Sequence, residues 1–478
     1  MTTPRPLPPH SGEPAPKLAE VPAFVEMIAQ GWGAAELSAP VVDGAGEAAG
    51  RHRAALSQAV GQRDVVVFAG HAPIRLNDCY YEFRADSNFV YLTGCQLEFG
   101  VLVLRASGTG HDAVIFAPAP AKPGDPKFFT SAVVGELWVG ASPTLADWSA
   151  ALGVPVRDIA GFADELGRLD RPLVSGTVAS GELAQYQLEA SRELDATLAH
   201  LRMFKDDWEI AQLREAVDAS VAGFGAVAAA IPEAIGLARG ERWLQATFDR
   251  HARTFGNGPG YASIVGSGPH APVLHWVRCD GAIDPEAPLL LDMGVEAVSL
   301  YTADVTRTLP PSGTFSPAAR QVHDLVERSH RAGLAAAQNG AHYLDFHYAS
   351  MEVIAQGLHD WGLLKVSVDE ALAPTGQQHR RYIVCGVGHH LGLDVHDCAR
   401  AHPEHYNAAS LGPGMVFTVE PGVYFHPNDL TVPPELRGIG VRIEDDVWLR
   451  PDGAQEILSG ALPISAAGLE AWTRAQQA

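Results

Sequence analysis

Short, nearly continuous apolar runs alternate with helically spaced segments in the first part of the chain. RDVVVFAG (Arg63–Gly70), NFVYLTG (Asn88–Gly94), GVLVL (Gly100–Leu104) and DAVIF (Asp112–Phe116) read as buried strands. Val21–Gln30 and Leu183–Leu201 carry the apolar spacing of helices. Strands and helices in alternation predict an α/β module. A break follows at RMFKDD (Arg202–Asp207). Beyond it, Trp208–Ile231 is an Ala-rich amphipathic stretch, which predicts a long helix ended by Pro232. The domain boundary is placed just before it, giving a Pro-rich tail over 1–17, an N-terminal domain over 18–203 and a second domain over 204–478. Further helices are predicted at Gly240–Thr254, Pro317–Gln338 and Tyr343–Trp361, with carboxylate-bearing strands between and after them. The second part therefore reads as α+β.

Composition narrows the function. Of 478 residues, 47% are hydrophobic, enough for sizeable cores and two large domains. The net charge of -22, with no Lys/Arg cluster, argues against nucleic acid or an anionic membrane surface as partner. The cysteines Cys79, Cys95, Cys279, Cys385 and Cys398 are odd in number and form no CxxC. That excludes a disulfide framework or zinc ribbon and suits a reducing cytoplasm. The opening MTTPRPLPPHSGEPAPK has no apolar core of a signal peptide and reads as a disordered tail. No uninterrupted apolar run reaches the roughly 18 residues of a membrane span.

Four acids stand where acids are costly. Asp292 ends PLLLD, Asp304 lies in YTADVTRTL, Glu420 ends MVFTVE and Glu444 lies in GVRIEDDVWL. An ionised carboxylate in a buried strand must be paired or bound to metal. The neighbouring strands hold too few arginines to neutralise all four. Asp292 and Asp304 flank a turn-prone section and can face each other across a hairpin. Alternation puts Arg442 and Glu444 on one strand face. CGVGHHLGLDVHD (Cys385–Asp397) adds three histidines. Oxygen-rich ligation with one imidazole suits Mn²⁺, Co²⁺ or Fe²⁺, and four carboxylates balance two divalent cations. Metal-assisted hydrolysis is the chemistry such a pair supports. No GxSxG, HExxH or GxxxxGK occurs. IVGSGPH (Ile264–His270) is Gly-rich without phosphate-loop spacing and reads as strand and turn leading into the pocket.

In order along the chain, LHW at His275, LLLDMGVE…YTADVTRTLP, GHHLGLDVHD and TVEPGVY…GIGVRIEDD resemble the creatinase/aminopeptidase P/methionine aminopeptidase group of pita-bread metallopeptidases. NDCYYEFRADSNFVYLTG (Asn77–Gly94) is similar to the N-domain of aminopeptidase P and prolidase. The resemblance implies a creatinase-like α/β domain followed by a pita-bread catalytic domain. It implies Asp292, Asp304, His389, Glu420 and Glu444 as ligands of two divalent ions, most readily Mn²⁺, with Co²⁺, Fe²⁺ or Zn²⁺ as alternatives. Asp304 and Glu444 would be shared between the ions. Glu420 would also shuttle a proton. His396 and His275 match active-site histidines, Arg442 and Tyr424 match positions that support ligands and line the pocket, and Asp78 matches an acidic residue near the catalytic mouth. His390 falls on a variable position and reads as packing.

Two departures stand out. From Asp292 to Asp304 there is one residue more than the family spacing. Such an insertion reverses side-chain facing unless a bulge or longer turn absorbs it, and Tyr301–Asp304 is the expected place. Cys385 stands where the family places a substrate-side histidine. The expected activity is that of an Xaa-Pro aminopeptidase on peptides with proline second. A prolidase acting on dipeptides is the alternative, and a metal-free binding module a more distant one. The resemblance further implies a homo-oligomer, dimer or tetramer, in the cytoplasm.

Overall fold

The computed structural model describes residues 17–33, 35–176, 186 and 188–478. Residues 1–16 of the Pro-rich tail and part of the Leu183–Leu201 stretch lie outside the described residues. The chain forms two compact units. One comprises Met1–Val41, Gln62–Phe89 and Cys95–Glu189; the other comprises Val42–Gly61, Val90–Gly94 and Ala190–Ala478. Two short early segments thus join the second unit.

The first unit is built on a mixed five-stranded sheet, ordered Val156–Asp158, Gly110–Ala117, Val101–Ser107, Val65–Phe68, Leu173–Gly176. The edge pairings are parallel and the inner ones antiparallel. Val66, Phe68, Val101, Val103, Val114 and Phe116 pack with Phe162 and Val174 as its core. The apolar runs at 65–68, 101–104 and 113–116 are strands as their composition predicts.

The run Asn88–Gly94 is not a strand. Ser87–Thr93 is a helix. Asp86 Oδ1 accepts from the Asn88 N–H at 2.9 Å. Gly94, at φ 74°, closes the other end by donating its N–H to the Val90 carbonyl at 2.7 Å. An acidic cap and a terminal glycine outweigh the β propensity of Phe, Val and Tyr, because the end groups satisfy backbone donors and acceptors that propensity leaves open.

In the second unit, Asp207–Ile235 is a single helix with Pro232 inside it. Proline does not end it. Pro232 stands in the last turn, where it costs one backbone bond and the buried Ile231 and Ala234 hold the turn in the core. Its N-terminus is closed by a reciprocal capping box between Asp206 and Glu209. By length and composition this helix could cross a membrane. Here it packs on Gly240–Phe255 and Ala466–Gln477. A second helix pair, Pro317–Ala336 and Asp345–Asp360, packs together likewise. Short antiparallel sheets join these pairs around one continuous apolar core.

The strand Leu289–Asp292 pairs with Thr306–Leu309, Asp292 opposite Thr306. The same register continues through Met293–Val305 and Val295–Ala303 bonds to the Glu296–Thr302 bridge. No bulge lies between Tyr301 and Asp304. The extra residue sits in the turn over 298–300, closed by the Ala297 N–H on the Tyr301 carbonyl and by Leu300 in a left-handed conformation at φ 71°. A three-residue hairpin loop of this kind keeps an unbroken ladder. Asp304 is two positions from Thr306, so it shares a sheet face with Asp292.

Candidate metal centre

Three antiparallel pairings aim the acids at one point. The hairpin supplies Asp292 and Asp304. Glu444 forms a bridge with Thr306, whose hydroxyl donates to Glu444 Oε2 at 2.7 Å. The strand Val416–Val419 runs into Glu420, and the segment 387–391 lies beside it. The Thr418 N–H donates to the His389 carbonyl at 2.8 Å and the Glu420 N–H to the Val387 carbonyl at 2.9 Å. His389 is thereby set next to the Glu420 carboxylate. Its Nδ1 is 3.1 Å from the His390 carbonyl, which makes Nδ1 the protonated nitrogen. Nε2 then faces the acids, 3.3 Å from Asp304 Oδ2 and 3.5 Å from Glu420 Oε1.

Ligating atoms of Asp292, Asp304 and Glu444 lie within 4.8 Å of one another, and so do those of His389, Glu420 and Glu444. Two overlapping groups with a common carboxylate can hold two cations side by side. The electrostatics ask for them. Burial, then repulsion from Asp304, Glu420 and Asp292, pushes Glu444 well above the usual carboxylate range. Burial also raises Asp292, with Asp304 adding to it and Arg442 opposing. Glu420 is raised to about 7 by burial, against the pull of His389 and with the push of Asp304. Arg442 is buried and donates to Asp292 Oδ2 and, at 3.0 Å, to the Thr306 hydroxyl. Among the described residues no protein donor reaches the second oxygen of Asp304, Glu420 or Glu444. Carboxylates in excess of their protein partners, with lone pairs converging beside an imidazole, fit divalent cations of the Mn²⁺, Co²⁺, Fe²⁺ or Zn²⁺ kind.

The model of metallopeptidase family M24 matches residues 211–451, and that of the aminopeptidase P N-terminal domain matches 49–172. Xaa-Pro aminopeptidase 2 of Streptomyces coelicolor is 45% identical, over 88% of this chain and 89% of its own. Xaa-Pro aminopeptidase 1 of the same organism is 44% identical, over 95% and 92%. The chain belongs to metallopeptidase family M24. Aminopeptidase P from E. coli in its low-pH form superposes with a TM-score of 0.78 at 28% identity, covering 93% of this chain and all of that one. The zinc-substituted E. coli enzyme in complex with product gives 0.77 at 28%, over 91% and 99%. The two-domain α/β and pita-bread architecture expected from the sequence is therefore the architecture of this M24 chain.

The other expected residues separate into four groups. His275, His396, Cys385 and Arg442 line the cavity of about 590 Å³ that holds the five candidate ligands. The His396 ring stands 4.3 Å from that of His389, centre to centre. Burial, with the neighbouring His389 adding to it, lowers the His396 imidazole below its ordinary value. Tyr424 stands behind Arg442 rather than on the cavity wall, its hydroxyl accepting from Arg442 Nη1 at 2.9 Å. Asp78 belongs to the first unit, exposed in the turn between Ile74–Leu76 and Cys79–Tyr80. His390 is packing: it is buried, stacks on Tyr343, and burial pushes it down to about 3. Burial, then the charge of Glu420, raises the Cys385 thiol to about 11, so it is protonated at pH 7 and a poor nucleophile.

Three contributors escaped the sequence reading. Tyr261 donates to Asp292 Oδ1 at 2.6 Å from a Gly-rich loop with no local signal. Thr306 and Asp446 could have been found by alternation, two positions after Asp304 and Glu444. The fully buried Asp446 accepts from the Asp304 N–H at 3.1 Å and is pushed well above the usual carboxylate range by burial and by Asp304.

Proposed function

We propose that this chain is an Xaa-Pro aminopeptidase, releasing the N-terminal residue from peptides whose second residue is proline. The observation that carries the reading is the convergence of Asp292, Asp304, His389, Glu420 and Glu444 on one cavity in an M24 chain. In this reading the five would hold two divalent ions, Mn²⁺ by preference. Ions held there would supply Lewis-acid polarisation of the scissile carbonyl and a lowered pKa for the attacking water.

The chain's own residues do the rest. Arg442 and Tyr261 fix both oxygens of Asp292. Glu420 takes a proton from the attacking water and returns it to the leaving proline nitrogen. His396 and His275 face the peptide and hydrogen-bond its carbonyl oxygen as charge develops there. Proline's amide has no N–H, so the cavity selects it by shape. Ala262, Ile264, Leu274 and Val277 supply an apolar wall for that purpose.

One feature favours longer peptides over dipeptides. A dipeptidase must hold the C-terminal carboxylate of its substrate. Among the described residues lining the cavity, Arg442 is the only Arg or Lys, and its guanidinium is committed to Asp292, Thr306 and Tyr424. The proposal includes a homo-oligomeric, cytoplasmic enzyme. The test is hydrolysis of an Xaa-Pro-Xaa tripeptide and the matching Xaa-Pro dipeptide after loading with Mn²⁺. Tripeptide cleavage at Xaa–Pro, lost in Asp292→Ala, is expected. Cleavage of the dipeptide alone would make the chain a prolidase. Cleavage of neither, with under half an equivalent of metal retained, would make it a binding module.

A further inference from the structure

The loop that carries His396 is closed on itself and pinned from behind, all within the second unit. The Asp397 N–H donates to the His390 carbonyl at 2.8 Å, and the Thr302 N–H donates to the Gly392 carbonyl at 3.0 Å. His396 stands one residue before the closing bond. Its side chain is exposed to the cavity. Its direction is therefore set by the backbone at Val395 and Asp397.

Asp397 is held by the segment that opens the catalytic region. Its side chain is 1% exposed. Oδ1 accepts from Arg202 Nη2 at 2.5 Å and from the Cys398 N–H at 2.8 Å. Oδ2 is 3.8 Å from Lys205 Nζ, itself buried and donating to the Arg202 carbonyl at 2.7 Å. Arg202 Nη2 also reaches Asp394 Oδ2 at 2.8 Å. The arginine thus grips both acids that flank Val395 and His396. The packing leaves no slack, since a Cβ at Gly392 would lie 2.2 Å from Asp397 Oδ2.

Burying two cations against Asp397, with Asp394 half-exposed beside it, is a poor way to stabilise a fold, because desolvation offsets most of the attraction. What a rigid, planar guanidinium adds, with its Nη2 shared between the two acids, is direction. We propose that Arg202 and Lys205, acting through Asp394 and Asp397, are positioning residues that hold the His396 imidazole at the scissile peptide. The proposal rests on the reading of His396 as a peptide-facing group.

The test is a double-variant cycle on the full chain loaded with Mn²⁺, using an Ala-Pro-Ala tripeptide. Arg202→Lys keeps the charge but replaces the rigid, planar guanidinium by a shorter, freely rotating ammonium that does not fix the two acids in one orientation. It is expected to lower kcat about tenfold or more while KM moves less than about twofold, since small misplacements of a reacting contact cost rate rather than binding. In a His396→Ala background the same change is expected to cost nothing further. Losses that multiply, or an unimpaired Arg202→Lys beside an impaired His396→Ala, overturn the positioning role alone. An unimpaired His396→Ala overturns both the positioning role and the reading of His396. If Arg202→Lys does not fold, the near-isosteric Asp397→Asn takes its place in the cycle with the same expectations.

Discussion

Two clusters in the second unit are made of the same parts, a buried or half-buried histidine between carboxylates with ligating atoms within 4.8 Å. At His389 the acids outnumber their protein partners. At His52 they do not. His52 Nε2 lies 3.5 Å from Asp206 Oδ2 and 3.4 Å from Glu209 Oε2. Asp206 accepts from the Glu209 N–H and from Arg51, and Glu209 from the Asp206 N–H and the Tyr301 hydroxyl. All four oxygens are satisfied and two cations face two anions. The consequence shows in titration. Burial opposes the charge on His52, but Asp206 and Glu209 outweigh it and raise it to about 9, and Asp206 falls well below the usual range. The acids around His389 move up instead. Matching residue types do not define a metal centre; uncompensated charge does.

Strand alternation repeats the lesson within three residues. Glu444 and Asp446 face the centre. Asp445 faces away, to the fully buried Arg307 at 2.6 Å and His330 at 3.2 Å. Burial opposes its ionisation, and Arg307 and His330 more than offset that, holding it well below the usual range.

The sharpest way to break the comparison is Glu444→Gln. Activity is expected to fall on the order of 10³-fold or more, with loss of bound metal by elemental analysis. The metal-free protein is expected to melt no lower than wild type, because a repelling charge is gone. Asp445→Asn, one residue on, is expected to do the reverse. It leaves Arg307 without its acid and costs about 3–5 kcal/mol in denaturant unfolding, while metal content in the folded fraction is unchanged.

A smaller effect is expected at the balanced cluster. His52→Gln should cost about 1–3 kcal/mol near neutral pH and leave metal content intact. The pH profile gives the sign. His52 titrates at about 9 folded against 6.5 as the ordinary value. Its contribution is complete below about pH 6.5 and disappears as pH rises through about 9. Unfolding free energies over that window should lose this slope in His52→Gln; an unchanged slope would show that His52 is not its source. The smallest effect is expected at Cys385. Cys385→His restores one neutral donor and should raise kcat/KM by no more than about tenfold. An unchanged value would leave the thiol without a catalytic role.

Much of the site was legible because its residues announce themselves locally. Acids that end apolar strands, and a GHHLGLDVHD segment, conflict with burial unless something binds them. Alternation also placed Arg442 with Glu444. The extra residue before Asp304 was legible as an insertion that a bulge or longer turn must absorb, but its place in the turn over 298–300 was not, because only the ladder from Leu289 to Thr302 shows that the register never breaks. Asn88–Gly94 was misread because cap chemistry at its ends decided between two states its apolar residues allow equally.

The sequence by itself determined which side chains could bear charge inside the core, their order along the chain, and the periodicity that puts each on a face. Tertiary structure alone decided which charges are compensated. Arg307 and Asp445 are 138 residues apart, Arg442 and Asp292 are 150 apart, and Arg202 and Asp397 are 195 apart. The energy of a buried charge depends on what stands within a few ångströms of it. Periodicity along one segment carries no information about a partner so distant in the chain.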